Sequence, residues 1–181
     1  PHFSASGNKS ICAGKNTELN ATGGDSYQWM PAEKLSDPSA PTVVANPTVT
    51  THYSVHIREN ACNYDTTMFM AVTVNPSPVV SLQKSNDVNC NTPTVQLTAG
   101  GAVNYSWAPE TGLDNITGSS PVVIIDTTTT YTVSGANEYG CVSTASITVA
   151  ASKNGVPRFV VPNAFTPNGD NKNDCFGIRR W

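Results

Sequence analysis

Apolar and polar residues alternate with a period of two in short runs along most of this chain. Thr17-Glu18-Leu19-Asn20-Ala21 sets Leu19 against polar neighbours, and Tyr53, Val55 and Ile57 share one face of His52 to Ile57. A period of two places successive side chains on opposite faces of a strand. The pattern predicts strands over Thr17 to Ala21, Tyr27 to Trp29, Thr42 to Ala45, His52 to Ile57 and Met68 to Val74. It predicts a second set over Val95 to Ala99, Asn104 to Trp107, Val122 to Ile125, Thr129 to Val133 and Ala145 to Val149. Turn signals such as Gly23-Gly24-Asp25 separate the runs, and Pro31 stops the one that holds Trp29. No stretch of ten residues carries a helical period.

The two sets are copies. Cys12, Leu19, Tyr27, Trp29, Pro31, Leu35, Tyr53 and Val55 recur as Cys90, Leu97, Tyr105, Trp107, Pro109, Leu113, Tyr131 and Val133, each 78 positions on. Cys62 matches Cys141 with one extra residue. An identity pattern that includes a Trp and two Tyr in one register marks an internal repeat. Short strands with turns at this spacing predict an all-β chain of two tandem β-sandwich domains. The expected divisions are a tail or linker at 1–8, a first repeat at 9–75 and a proline-stiffened linker at 76–78. A second repeat at 79–150, a linker at 151–157 and a terminal segment at 158–181 complete the chain.

Composition narrows the function classes. The formal net charge is −3 and 13% of residues are charged, with no basic patch, so nucleic acid is not an expected partner. Gly and Pro number 13 each, as suits strands and turns. No apolar run approaches the roughly 20 residues of a membrane helix, and Pro1 reads as a cut inside a longer polypeptide. The five cysteines show no C-x-x-C spacing, and paired cysteines in small β domains suit an oxidising compartment. Their repeated positions lead to an expected Cys12–Cys62 bridge and a Cys90–Cys141 bridge, each stapling loops at one end of its sandwich. Each would close about 50 residues and contribute roughly 4 kcal/mol on the chain-entropy estimate. Cys175 is left over.

The terminal segment is not a third copy. Phe159-Val160-Val161 reads as a strand ended by Pro162, and Thr166-Pro167-Asn168-Gly169-Asp170 as a turn. Residues 162–174 continue as Pro162-Asn163-Ala164-Phe165-Thr166-Pro167-Asn168-Gly169-Asp170-Asn171-Lys172-Asn173-Asp174. This stretch resembles the opening of the gliding-motility-associated, type B C-terminal domain of proteins exported by the type IX secretion system of Bacteroidetes. The resemblance covers residues 158–178 and implies a β-sandwich domain of which these are the first strands, cut short here. It also implies export to the cell surface, in association with the outer membrane, and contact with the type IX machinery and a PorP/SprF-like outer-membrane barrel. Phe159, Val160, Val161, Pro162, Asn163, Phe165, Pro167, Asn168, Gly169 and Asp170 are the implied targeting residues, with Phe165 an apolar anchor. The repeats, with their Tyr-x-Trp-x-Pro and Thr-Thr-x-Tyr-x-Val stretches, resemble the immunoglobulin-like or PKD-like repeats of Bacteroidetes surface adhesins. That resemblance covers 10–75 and 88–150 and implies spacer or adhesive domains. Their ligand would be surface polysaccharide or another adhesion target.

Candidate chemistry is sparse. His52 and His56 share one strand face and could bind a metal, but no third ligand lies nearby in sequence; a solvated outer face is the plainer reading. Trp29 and Trp107 could form an aromatic sugar platform, which would suit a carbohydrate-binding appendage of a secreted polysaccharide-degrading enzyme, or they could be core. Asn168, Asp170 and Asp174 space oxygen ligands as a calcium loop does, although Lys172 interrupts them. Asp65-Thr66-Thr67 and Asp126-Thr127-Thr128 match, by family resemblance, the short O-glycosylation acceptor pattern at Thr66 and Thr127. No nucleophile–base set and no phosphate-cradling glycine loop is present, so a non-catalytic protein is expected.

Overall fold

A computed structural model describes residues 2–61, 63–89 and 91–152. Strands in the first half are β1 (Ser4–Ala5), β2 (Lys9–Cys12), β3 (Thr17–Thr22), β4 (Ser26–Met30), β5 (Thr42–Ala45), β6 (Thr51–Glu59) and β7 (Tyr64–Asn75). They make two sheets, in the orders β1-β3-β5 and β2-β7-β6-β4. All pairings are antiparallel except β2 with β7, where Lys9 to Cys12 run alongside Val72 to Asn75. The alternating apolar positions point inward: Leu19, Ala21, Trp29, Val43, Ala45, Tyr53, Val55, Ile57, Met70 and Val72 are buried in one cluster. Each large apolar side chain so buried contributes about 1.5–3 kcal/mol.

The second half repeats the plan with β8 (Ser81–Lys84), β9 (Val95–Gly100), β10 (Asn104–Ala108), β11 (Val122–Val123), β12 (Thr129–Ala136) and β13 (Val142–Val149). Its sheets are β11-β9-β8 and β10-β12-β13, around Val95, Leu97, Trp107, Val123, Tyr131, Val133 and Val149. The parallel β2–β7 pairing shrinks here to a single bridge, Val88 with Ala151. The chain is thus all-β, with two immunoglobulin-like sandwiches in tandem. The segment at 158–181, expected to begin a C-terminal sandwich, lies outside the described residues.

Each repeated residue has the same structural task in both copies. The Tyr27 hydroxyl donates to the Gly24 carbonyl, and the Tyr105 hydroxyl to that of Ala102, both at 2.9 Å. The Trp29 indole N–H donates to Ala40 at 2.9 Å and that of Trp107 to Gly118 at 2.8 Å. Pro31 and Pro109 both follow cis peptide bonds. Leu35 and Leu113 make matching bridges to Ala45 and Val123. Gly23 and Gly101 hold positive φ of 98° and 88° where a Cβ would meet backbone of the incoming strand: the His2 oxygen at 2.2 Å and the Val79 oxygen at 1.9 Å.

The N-terminal residues differ from the sequence reading. Positions 1–8 were expected to be a tail or linker, yet Ser4 and Ala5 pair with Thr22 and Ala21, and Phe3 and Ala5 pack on the first core. β1, β2 and β8 are edge strands. Ile11 is the one fully buried residue of β2, and two- to four-residue strands of this kind show no period.

Candidate functional site

The feature with the clearest consequence lies where the two sandwiches meet. Cys12 and Cys141 form a disulfide with Cα atoms 5.5 Å apart, across a sequence separation of 129. This corrects the expected Cys12–Cys62 and Cys90–Cys141 bridges, and the reason is the direction of the strands. β2 runs parallel to β7, so Cys12 ends beside Asn75, at the last residue of β7. Ala61 and Asn63 sit at the other end of β7, roughly 35 Å away for a strand of 12 residues. Cysteines farther apart than about 7 Å between Cα atoms cannot be bridged without moving backbone. The second repeat obeys the same rule. Cys141 immediately precedes β13, whereas Val88 and Asn89 lie by its far end, where the Val88 amide donates to the Ala150 carbonyl at 2.9 Å. Cys62, Cys90 and Cys175 themselves lie outside the described residues.

Local chemistry builds the junction. In the loop between β12 and β13, the Asn137 side-chain oxygen accepts from the amides of Tyr139 at 3.1 Å and Cys141 at 3.0 Å. Gly140 turns the chain at φ 76° and its amide donates to the Asn137 carbonyl at 3.0 Å. The other half of the same side chain donates to the Pro76 carbonyl, in the linker, at 2.8 Å. From the first sandwich, the Ala13 amide donates to the Asn75 carbonyl at 2.8 Å, and the Asn75 side chain donates to Ser10 Oγ at 2.7 Å. Cys141 is fully buried, with its Sγ 4.0 Å from the Asn75 carbonyl oxygen. One asparagine therefore orders the loop, holds the linker and presents the cysteine. On the chain-entropy estimate a loop of this size contributes about 5 kcal/mol.

The other candidates fall as follows. Trp29 and Trp107 are 1% and 3% exposed, so neither ring offers a sugar platform. His52 and His56 lie on the outer face of β6, opposite Ala71 and Thr67 of β7. His56 Nε2 is 2.9 Å from an Asp65 carboxylate oxygen. Among the described residues, no group of three or more His, Cys, Asp or Glu could hold a metal ion. Beside His52 runs a shallow depression lined by Asn8, Ser54 and an exposed Phe69. Thr66 shares the core-facing side of β7 with Met68 and Met70 and is half-buried, a poor place for a glycan, whereas Thr127 is exposed. The targeting stretch Phe159 to Asp170 and the calcium candidates Asn168, Asp170 and Asp174 lie outside the described residues.

Titration is perturbed at a few places. Burial pushes the Tyr53 and Tyr131 hydroxyls above the usual tyrosine range. The Thr51 hydroxyl lies near enough to Tyr53 to offset this in part but does not reach hydrogen-bond geometry with it; its hydrogen bond goes to the Val49 carbonyl, and the Tyr53 hydroxyl has no partner. Asp87 is held below the usual carboxylate range by hydrogen bonds from the Lys84 ammonium and the Ala150 amide. Lys84 also donates to the Thr148 carbonyl at 2.8 Å, so the pair clips the end of β13 to the strand that starts the domain.

No family model matches this chain, and no curated protein matches it. Among solved structures it is similar to the fibronectin(III)-like modules of CbhA from Clostridium thermocellum, at 15% identity and a TM-score of 0.43, over 83% of this chain and 94% of that one. It is also similar to a C-terminal 282-residue fragment of intimin, solved with the intimin-binding domain of its translocated receptor, at 14% identity and a TM-score of 0.44. That match spans 84% of this chain and 64% of the fragment. The IgVJ-C2 molecule of amphioxus matches at 14% identity and a TM-score of 0.34, over 78% of this chain and 99% of that one. Scores this low add no argument about function.

Proposed function

We propose that this chain is the C-terminal part of a secreted, non-catalytic cell-surface protein. In this reading the two sandwiches are spacer or adhesive domains, and residues 158–181 begin an address for the type IX secretion system. The observation that carries the secreted part is the disulfide across the domain junction. A buried bond between domains forms and persists in an oxidising compartment and is rare in the cytosol. Support for the address comes from Val161-Pro162-Asn163-Ala164-Phe165-Thr166-Pro167-Asn168-Gly169-Asp170 and its likeness to the type B C-terminal domain. On this reading Phe159 to Val161 pair as a strand in a terminal sandwich, and Phe165 is the apolar anchor that meets a PorP/SprF-like barrel. Burial of Trp29 and Trp107 weighs against the carbohydrate-binding alternative, which relied on those rings. No residue set of the described part favours catalysis. The test is surface delivery in a gliding bacterium of a fluorescent reporter carrying residue 79 to the natural C-terminus, with and without everything from Val156 onward. Export that requires the deleted part is the expected result. Export that survives the deletion overturns the address.

A further inference from the structure

The Cys12–Cys141 bond creates a second covalent path through the tandem. From the N-terminus the chain follows β1 and β2 down the first sandwich to Cys12. The sulfurs then cross to Cys141, and β13 runs down the second sandwich to Ala150. Strands β3 to β12, with nearly all of both cores, lie inside the closed loop of 128 residues between the two cysteines. We infer that the oxidised tandem is a tension-bearing strut: a pull on its two ends passes through β1, β2, the disulfide and β13, and bypasses both folded cores.

The geometry suits this task. A strand already spans about 3.3 Å per residue, against a maximum of about 3.6 Å, so the short path has almost no slack. Tension along it does not ask any sheet to open. The path is also fastened where it enters and leaves. β2 is held by its parallel ladder to β7 and by the Asn75 to Ser10 hydrogen bond. β13 is paired with β12 over its whole length, from Val142 opposite Ala136 to Val149 opposite Thr129. Its far end is caught by Asp87, which accepts from the Ala150 amide at 2.9 Å, and by Val88, whose carbonyl accepts from Ser152 at 2.9 Å. Without the sulfur bond, the same pull would run through β7, the linker at 76–78 and β8. It would then load the two sandwiches one after the other. This inference depends on the junction alone and stands apart from the export reading.

Force spectroscopy on the full chain, held by handles at its two ends, tests it. Within residues 2–152 of the oxidised chain no step longer than about 50 Å is expected, since only the dozen or so of these residues on each side of the bond lie outside the closed loop. The Cys12→Ser/Cys141→Ser variant is expected to give two steps of roughly 200 Å, one per sandwich of about 70 residues. Reductant added to the oxidised chain under steady load should release the hidden loop, a gain of up to about 450 Å. This last reading serves even if the double variant does not fold. Residues beyond 152 add the same length to every form. Steps of roughly 200 Å in oxidised chains, or no gain on reduction, overturn the inference.

Discussion

Tyr53 and Tyr131 occupy the same place in the two repeats, and both are fully buried. Their hydroxyls differ. Tyr131 donates to the Thr111 carbonyl at 2.6 Å, while the Tyr53 hydroxyl is buried without a hydrogen-bond partner. Replacing each by Phe should therefore have opposite effects. Tyr131→Phe loses a net hydrogen bond, a cost of about 1 kcal/mol; Thr111 is exposed, so water can take up its carbonyl and the cost stays moderate. Tyr53→Phe removes a desolvated, unsatisfied hydroxyl whose burial costs about 1–3 kcal/mol, so a gain near 1 kcal/mol is expected once the small void is charged against it. The gap of about 2 kcal/mol is a factor of roughly 30 in the opening equilibrium. Native-state hydrogen exchange can read this per domain, from amides of β6 and β7 for one variant and of β12 and β13 for the other. Protection should rise in the first sandwich of Tyr53→Phe and fall in the second sandwich of Tyr131→Phe. Equal losses in both would refute the reasoning and place an acceptor on Tyr53.

Three further outcomes follow from the same geometry. Gly101→Ala should destabilise the second sandwich by more than about 2 kcal/mol, because a left-handed alanine costs about 1–2 kcal/mol and its Cβ would also strike the Val79 oxygen; Gly140→Ala, with open space around it, should cost about 1 kcal/mol, and denaturant midpoints compare them. With both tyrosine pKa values raised by folding, the unfolded chain ionises first, so their stability is full below pH about 10 and lost as pH rises above it; the Tyr53→Phe/Tyr131→Phe variant should show a shallower alkaline loss in thermal melts. Asp87 has a lowered value, so its contribution is present above the ordinary carboxylate range and lost as pH falls through its folded pKa. Exchange at Ala150 should quicken on acidification in the native chain and be pH-insensitive, beyond intrinsic chemistry, in Asp87→Asn.

Much of the fold was legible because its strands carry one buried face. β5 was read to the residue, and β3, β4, β6 and β9 to within a few, since Leu19, Trp29, Tyr53, Val55 and Leu97 mark the inward side. The repeat added the rest, because a Tyr-x-Trp-x-Pro run that serves hydrogen bonding and burial twice leaves the same letters twice. What stayed hidden has a physical cause. β1 and β8 bury no residue fully and β2 only Ile11, so no alternation of buried and exposed positions marks their inward face. The disulfide was misassigned because spacing cannot show direction. The repeat register marks Cys12, Cys62, Cys90 and Cys141 alike, and only the parallel course of β2 along β7 reveals that Cys12 finishes at the pole facing the next domain. The junction loop was equally opaque, since nothing in Asn137-Glu138-Tyr139-Gly140 announces that Asn137 would reach the Pro76 carbonyl.

Peptide mapping of the unreduced protein tests the bond between the domains most directly. After alkylation of free thiols and proteolysis, mass spectrometry should find the peptide containing Cys12 linked to the peptide containing Cys141, with separation of the two on reduction. Cys12 linked to Cys62, with Cys90 linked to Cys141, would contradict it, and would return the tandem to two independently stapled domains on an uncoupled linker.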